Sequence, residues 1–408
     1  MLDESGALVA EDKDWTNQQG VDQKTFLVGD QVGVVVNGSV PAHLLNPLAS
    51  YSITDDLTGS VQWIDWKSGK GKVFVDGGDV TDQFDIVIDQ NAKTATATAK
   101  SSYIAKTMFK NNASKVKFYL TGTIKQGATK GKKIQLTNKA YEKWNNETRP
   151  TNEPPVFVWT PNPNKAWAMK VDGKWQLTVD PAKSDKVGGD DKYYRLGDEV
   201  VAVISGTLPT GLGRVPEIAW TDDFANVDGI LDLKDTSDIK VYERTTADEA
   251  NASVNGLNKT GKDVTGQFDI TAEGTKVTVS AKDEYEAAQK DLKTARQISI
   301  VIPFDVNFDT VKLLESHGKS EGDELNTCVD PEGDDLDNKG AQTVGGSTVD
   351  TNTPKICVTV PPIHKQVIAE SSQGGDQSSI DTQVVFPGQT VEYTVRVDRR
   401  SLRTRRMR

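Results

Sequence analysis

The sequence predicts a mainly β chain, built as tandem immunoglobulin-like β-sandwich domains with short helical insertions. Three observations predict it. Short runs of alternating apolar and polar residues are bounded by Gly, Asn, Asp and Pro, the pattern of half-buried strands joined by turns. One ordered set of segments occurs twice and begins a third time, as internal repeats do. The composition, 36% hydrophobic and 26% charged over 408 residues, is that of a globular chain long enough for two or three cores.

In chain order, Leu8-Val9 and a turn-rich stretch from Trp15 to Gly20 precede the first strong strand. That strand follows Gly29-Asp30 and runs through Val32, Val34 and Val36 to Val40. Its β-branched residues favour an extended, pleated backbone. The counterpart follows Gly197-Asp198 and runs from Glu199 to Leu208; a looser third copy follows Pro387-Gly388 and includes Val391 to Val395. Next, Ile53-Thr54-Asp55-Asp56-Leu57 is matched by Trp220-Thr221-Asp222-Asp223-Phe224. Asp79 to Ile86 is matched by Asp263 to Ile270, each followed by an alternating strand ending in Ala-Lys, at Ala99-Lys100 and Ala281-Lys282. Val116 to Leu120 is matched by Ile298 to Ile302. Between those last two strands of the second set, Asp283 to Leu292 reads as a short helix with Tyr285, Ala288 and Leu292 on one face.

Each set closes on a strand that ends in proline, Val156 to Pro161 and Cys357 to Pro361, and the next opens on a lysine, Lys165 or Lys365. Pro154, Pro155, Pro161, Pro163, Pro361 and Pro362 mark the joints as short, semi-rigid linkers. The expected boundaries are residues 1–161 for a first sandwich lacking its first strand, 162–362 for a second, complete one, and 363–408 for the truncated start of a third unit with a basic tail. Units of roughly 160 to 200 residues are large for this fold class, so their loops are elaborated.

The formal charge of −11, from 59 acidic and 48 basic residues, argues against a nucleic-acid or anionic-membrane surface. No stretch approaches the roughly 20 apolar residues of a membrane helix, so no membrane insertion is expected, and Met1 to Glu4 is not a signal peptide. His43, His317 and His364 have no metal-ligand spacing, and neither a Gly-x-Ser-x-Gly elbow nor a P-loop occurs. The chain is thus expected to be no enzyme, with no metal and no cofactor. The acidic run Asp330 to Asp337 lacks the spacing of a calcium loop and reads as a solvated loop. The arginine-rich run Arg399 to Arg408 breaks the strand pattern and reads as an artificial end rather than a binding tail. Cys328 and Cys357 fit one disulfide in an oxidising compartment, or two separate buried thiols. Trp63, Trp66 and Trp144 are candidates for an exposed ligand-binding face, or for core.

The segment around Asp222 holds the most pointed chemistry. Period-two alternation places Ile218, Trp220, Asp222 and Phe224 on one face, so that Asp222 is buried if the apolar face is the core face and Asp223 is solvated. The same count buries Asp55 beside Ile53 and Leu57. Burial pushes a carboxyl toward its protonated form and a lysine toward its neutral, nucleophilic amine. Set beside an asparagine carboxamide, such a pair can form an isopeptide bond and release ammonia.

The order of these motifs is a lysine before a Leu-Gly-Asp strand, then Thr-Asp-Asp-aromatic, then Asp-Val-Thr-x-Gln-Phe, then an asparagine before a closing strand that ends in Pro. It resembles the C-terminal domains of antigen I/II-type adhesins and, more closely, the isopeptide-forming adhesin domains of Gram-positive cell-wall-anchored surface proteins. The resemblance implies a cross-link between Lys165 and Asn338 in the second unit, assisted by Asp222. In the first unit it implies Asp55 and Asn138, with the matching lysine just before Met1; in the third it implies Lys365, without either partner. Asn138 and Asn338 are separated by the same 200 residues as Lys165 and Lys365. Both asparagines also suit turns, and both aspartates could accept backbone amides. The implied function is that of a surface adhesin or stalk, extracellular and cell-wall-anchored, which meets host surface glycoproteins, glycans or other cell-surface proteins. The alternative is an accessory ligand- or glycan-binding β-sandwich region of a secreted multidomain enzyme.

Overall fold

The computed structural model describes residues 25–42, 47–67, 71–106, 113–126, 130–171, 174–177, 193–212, 215–245, 261–290, 292–328, 330–369 and 391–397. The expected features at Leu8-Val9, Trp15–Gly20, His43 and Arg399–Arg408 lie outside the described residues. Strands dominate and pair almost entirely antiparallel, and three short helices, Ser101–Lys106 (α1), Asp283–Gln289 (α2) and Thr310–Ser316 (α3), interrupt them.

An N-terminal sandwich is made of two sheets. In one, Gln31–Val40 (β1) pairs with Ser114–Ile124, which pairs in turn with Lys72–Val75. In the other, Tyr51–Asp56 (β2) lies between Lys139–Trp144 (β3) and Thr94–Ala99. Alternation sets the core: Val32, Val34, Val36 and Val40 of β1 and Tyr51, Ile53 and Asp55 of β2 are buried, while the residues between them are more exposed. Trp63 and Trp66 are buried in this core and Trp144 packs against it, so none of the three offers the exposed ligand-binding face that was one expectation for them. Large aromatic surfaces repay burial more than exposure in a sandwich of this size.

A central sandwich follows the same plan with two more described strands in its first sheet, Asn164–Val171 and Lys174–Leu177. Asn164–Val171 (β4) pairs with Glu199–Leu208 (β5), and β5 pairs with Arg296–Val306. The facing sheet sets Ile218–Asp223 (β6) between Lys276–Ala281 and Lys339–Val344 (β7). In both sandwiches a left-handed glycine, Gly29 at φ 87° or Gly197 at φ 83°, turns the chain into β1 or β5. Beyond the central sandwich, Ile363–Ala369 (β8) forms an antiparallel hairpin with Val391–Val397.

Two local expectations need correction. Helix α2 ends at Gln289, and its buried face is Tyr285 and Gln289, not Tyr285, Ala288 and Leu292. Ala288 points to solvent, because residues four apart share a face and Tyr285 is the anchor, its ring 4.9 Å from that of Phe268. Helix α3 was not expected; Asp309 caps it by accepting from the amides of Val311 and Lys312. The joint between the sandwiches makes contacts of its own. Leu27 and Trp159 lie in the central core, Thr25 donates to the carbonyl oxygens of Gly211 and Thr210, and Thr25–Phe26 pairs in parallel with Val156–Val158.

Candidate functional site

The site lies where the two sheets of the central sandwich meet. Strand β4 carries Lys165, β6 carries Asp222, and Asn338 stands immediately before β7. Antiparallel pairing sets Lys165 opposite Ile204 and Asp222 opposite Gly340. All three side chains are fully enclosed, with relative exposures of 0%, 1% and 1% in that order. Gly340 permits this approach. A methyl group there would stand 2.7 Å from Ile204 Cδ1 and 2.9 Å from the Thr221 carbonyl oxygen.

The Lys165 ammonium or amine donates to Asp222 Oδ1 inside an apolar enclosure. The Trp167 ring lies 5.7 Å from Nζ, and Trp167 meets Phe304 edge-on. Burial pushes the Lys165 pKa down, against the attraction of Asp222, and pushes the Asp222 carboxyl up, against the attraction of Lys165. Both directions favour the uncharged pair, amine and carboxylic acid, because a buried charge costs more than its partner returns. Asn338 is near enough to Asp222 to favour its charged form, but short of good hydrogen-bond geometry. Asn338 Oδ1, Asn338 Nδ2 and Asp222 Oδ2 are therefore buried without a hydrogen-bond partner. Three unsatisfied polar atoms in one dry place are costly, each by about 1–3 kcal/mol, and mark a site rather than a packing detail.

A fourth residue was missed from the sequence. Asn352 holds the backbone of Lys165 from both sides, accepting from its N–H at 2.8 Å and donating to its carbonyl at 2.9 Å. The Pro354 carbonyl accepts from Trp167 Nε1 at 3.1 Å and from the Asn338 amide at 3.3 Å, so one loop grips the donor strand and the acceptor residue together. The signal was present as Thr351-Asn352-Thr353-Pro354, which echoes Thr151-Asn152-Glu153-Pro154.

In the N-terminal sandwich Asp55 and Asn138 also meet, with Asn138 Nδ2 donating to Asp55 Oδ2 at 3.3 Å. Asp55 pairs with Ala140 as Asp222 does with Gly340. Burial, opposed by the Asn138 hydrogen bond, raises the Asp55 pKa to about 7. Its Oδ1 has no hydrogen-bond partner. Lys365 is carried by β8 opposite Val395. Cys328 and Cys357 are joined in a disulfide that ties the start of Val358–Val360 to the end of Leu325–Thr327. Among the described residues no group of three His, Cys, Asp or Glu side chains could hold a metal ion, and no helix is long and apolar enough to cross a membrane.

No protein-family profile and no curated protein sequence matches the chain. Solved structures do match its fold. The C-terminal domain of the antigen I/II-family protein AspA from Streptococcus pyogenes aligns with a TM-score of 0.58 at 14% identity, over 87% of this chain and 97% of that one. The C-terminal domain of the AgI/II polypeptide BspA from Streptococcus agalactiae aligns with a TM-score of 0.55 at 14% identity, over 87% and 97%. The chain therefore has the fold of antigen I/II adhesin C-terminal domains.

Proposed function

We propose that the chain is a region of a bacterial surface adhesin or stalk whose central sandwich is clamped by a self-formed isopeptide bond from Lys165 to Asn338, with Asp222 assisting. The shared fold supports the adhesin role, and the enclosed triad of Lys165, Asp222 and Asn338 supports the clamp. In this reading residues 1–161 and 162–362 are successive sandwich domains and 363–408 opens a third. The protein stands outside the cell, anchored to the wall, and meets host glycoproteins, glycans or other cell-surface proteins. It turns over no substrate.

The bond forms in balance. The neutral amine of Lys165 attacks Cγ of Asn338 while protonated Asp222 donates to Oδ1 and lowers the barrier to the tetrahedral adduct. Asp222 then passes the proton lost by Nζ to Nδ2, the Cγ–Nδ2 bond breaks, and ammonia leaves. The product is an amide between Nζ and Cγ, with Asp222 regenerated.

The clamp joins the strand that enters the sandwich to the segment that begins its closing sheet, so tension applied along the chain bypasses β5, β6 and the core between them. In the unfolded state it closes a loop of more than a hundred residues, which by chain entropy alone stabilises the fold by about 5 kcal/mol.

The observation that carries this reading is the meeting of a buried lysine, a buried acid and an unsatisfied buried carboxamide. Intact-mass measurement tests it. The purified protein should weigh one ammonia less than its sequence, and Lys165→Ala and Asn338→Ala should each restore the full mass expected for the variant. A wild-type mass equal to that of the sequence would overturn it.

A further inference from the structure

The two sandwiches reach their acceptor asparagine by different routes. In the N-terminal one Ile134–Leu136 runs alongside Val156–Val158, with Gln135 opposite Phe157 and Leu136 opposite Val156, and the chain continues directly to Asn138. In the central one Leu325–Thr327 runs alongside Val358–Val360, and this register sets Cys328 opposite Cys357 in the place of Gln135 and Phe157. There the strand breaks. Residues 329–335 intervene before Leu336, whose carbonyl accepts from the Ile356 amide at 2.8 Å, where Leu136 meets Val156 in the other sandwich.

Two bonds close the base of the insertion. Leu336 donates to the Cys328 carbonyl at 2.9 Å, and Cys328 is joined to Cys357. Both cysteines of the chain stand there. The rest of the frame hangs from that point. Going back from Cys357, Ile356 donates to Leu336 and Lys355 pairs with Asp337. The Pro354 carbonyl then takes both the Asn338 amide and the Trp167 indole, and Asn352 holds the Lys165 backbone. Residues 352–356 therefore set donor and acceptor together, and the disulfide fixes their end.

Asn338 depends on this frame more than its counterpart does. Asn138 Nδ2 donates to Asp55 at 3.3 Å, whereas the oxygen and nitrogen of the Asn338 carboxamide both lack a hydrogen-bond partner, so backbone alone holds it in place. Attack by the Lys165 amine needs Cγ close and aligned, and a misplacement of about 1 Å costs roughly a hundred-fold in rate. An insertion just before the acceptor works against that precision, because connecting segments move more than the strands they join. We propose that Cys328 and Cys357 are positioning residues for the cross-link: their disulfide holds Asn338 and the Lys165 strand in reacting register across the interrupted strand, so that the clamp closes rapidly once the two thiols are oxidised and slowly before. This rests on the Lys–Asn chemistry proposed for the central sandwich.

The two steps are chemically separate. The thiols give two electrons and two protons to an oxidant of the disulfide class, through a mixed disulfide, and form one S–S bond. No electrons pass to the second step, in which Nζ of Lys165 replaces Nδ2 on Cγ of Asn338 and ammonia leaves. Geometry links them, and sets an order of events. A reducing compartment leaves the central sandwich unclamped, and an oxidising one pins the frame and lets the clamp close.

The test is cell-free synthesis of the whole chain with either dithiothreitol or glutathione disulfide, quenched in acid at intervals and read by intact mass. Disulfide formation removes two hydrogens and cross-linking removes one ammonia, so one spectrum reads both, and peptide mapping assigns the ammonia to Lys165 and Asn338. The oxidised chain should lose it faster by roughly ten-fold or more, within the range that misplacement costs. A chain carrying both Cys328→Ser and Cys357→Ser should match the reduced chain in either medium. Deleting residues 329–335 from that double variant rejoins the strand as Gln135 joins Leu136, and should restore the fast rate with no thiol present. Tryptophan fluorescence reports the folded fraction in every sample. Equal rates in the two media, or a slower rate that merely tracks an unfolded fraction, would overturn the positioning role and leave the clamp standing. A folded deletion variant that stays slow would do the same. Absence of ammonia loss in both media would overturn the chemistry of the clamp itself.

Discussion

The two sandwiches carry the same acid and the same amide in the same register, and among the described residues a lysine nitrogen meets the acid in the central one alone. In the central sandwich Asp222 is paired with Lys165; in the N-terminal one the partner of Asp55 among the described residues is Asn138. The difference teaches what the lysine strand does to its surroundings. Beside β4, β5 is buried along almost its whole length and Pro354 is buried; β1, which among the described residues pairs on one edge only, alternates, and Pro154 is exposed. It also separates two states of a buried acid. Asp222 keeps a lysine nitrogen within hydrogen-bond reach, and Asp55, among the described residues, meets burial beside the Asn138 carboxamide.

The largest way to break the comparison is Asp222→Ala. It removes the proton relay and leaves the neutral Lys165 amine buried without its hydrogen-bond partner, which by itself costs about 1–3 kcal/mol. Loss of the cross-link adds about 5 kcal/mol more. The expected outcome is a full-length mass with no ammonia lost and a central unfolding transition shifted steeply down, read by calorimetry or denaturant titration. Asp55→Ala should leave that transition and that mass loss in place. If both variants gave the same effect, the two sites would not differ as their amines say.

The next concerns pH. The folded pKa of Asp55 is raised to about 7 from an unfolded value of 3.8, so between those values the folded state holds a proton that the unfolded state has released. Stability of the N-terminal sandwich is therefore greatest below pH 4 for this group, and is lost as pH rises through 7. The loss is on the order of 4 kcal/mol at most, from three pKa units at about 1.4 kcal/mol each. Denaturant unfolding of this sandwich at pH 5 and pH 8 should show it, and Asp55→Asn should flatten it. A stability that rose with pH in the wild type, and did so unchanged in the variant, would place the titrating group elsewhere.

Much of this was legible from residue order. The β-branched alternation of β1 and β5 and the repeated Thr-Asp-Asp motif carry the sandwich, because period two alone decides which face a strand buries. The same count put Asp55 and Asp222 inside and Asp223 outside, as the structure has them. Other features were not legible because they depend on partners far along the chain. Asn352 acts on a residue 187 positions away, and nothing local distinguishes it from a turn asparagine. Trp63 and Trp66 read as possible contact residues until the opposing sheet was in place to cover them. Helix α3 is one cap and two turns long, too short for its period to stand out, and Ala288 misled because its small apolar side chain is tolerated on either face of α2.

The smallest prediction sharpens the comparison at the residue beneath each acid. Asp222 faces Gly340 and Asp55 faces Ala140; Ile204 lies behind the glycine, and at the equivalent register of β1 the residue is Val36, in the same core as Ala140. The two pairs conserve volume: the methyl that Ile204 adds is the one that Gly340 gives up. Gly340→Ala should therefore be overpacked, since its Cβ would meet Ile204 Cδ1 at 2.7 Å, and should lower central stability by about 1–3 kcal/mol. Adding Ile204→Val removes that Cδ1 and should restore part of the loss. The remainder comes from the Thr221 carbonyl oxygen, 2.9 Å from the new methyl, which no side-chain change relieves. A double variant no more stable than Gly340→Ala alone would show that backbone approach, not volume exchange with the strand behind, sets the choice of glycine. Because the same shift would move Asn338 against Lys165, the fraction of protein that has lost ammonia should follow stability through the series, and that fraction is read directly by mass.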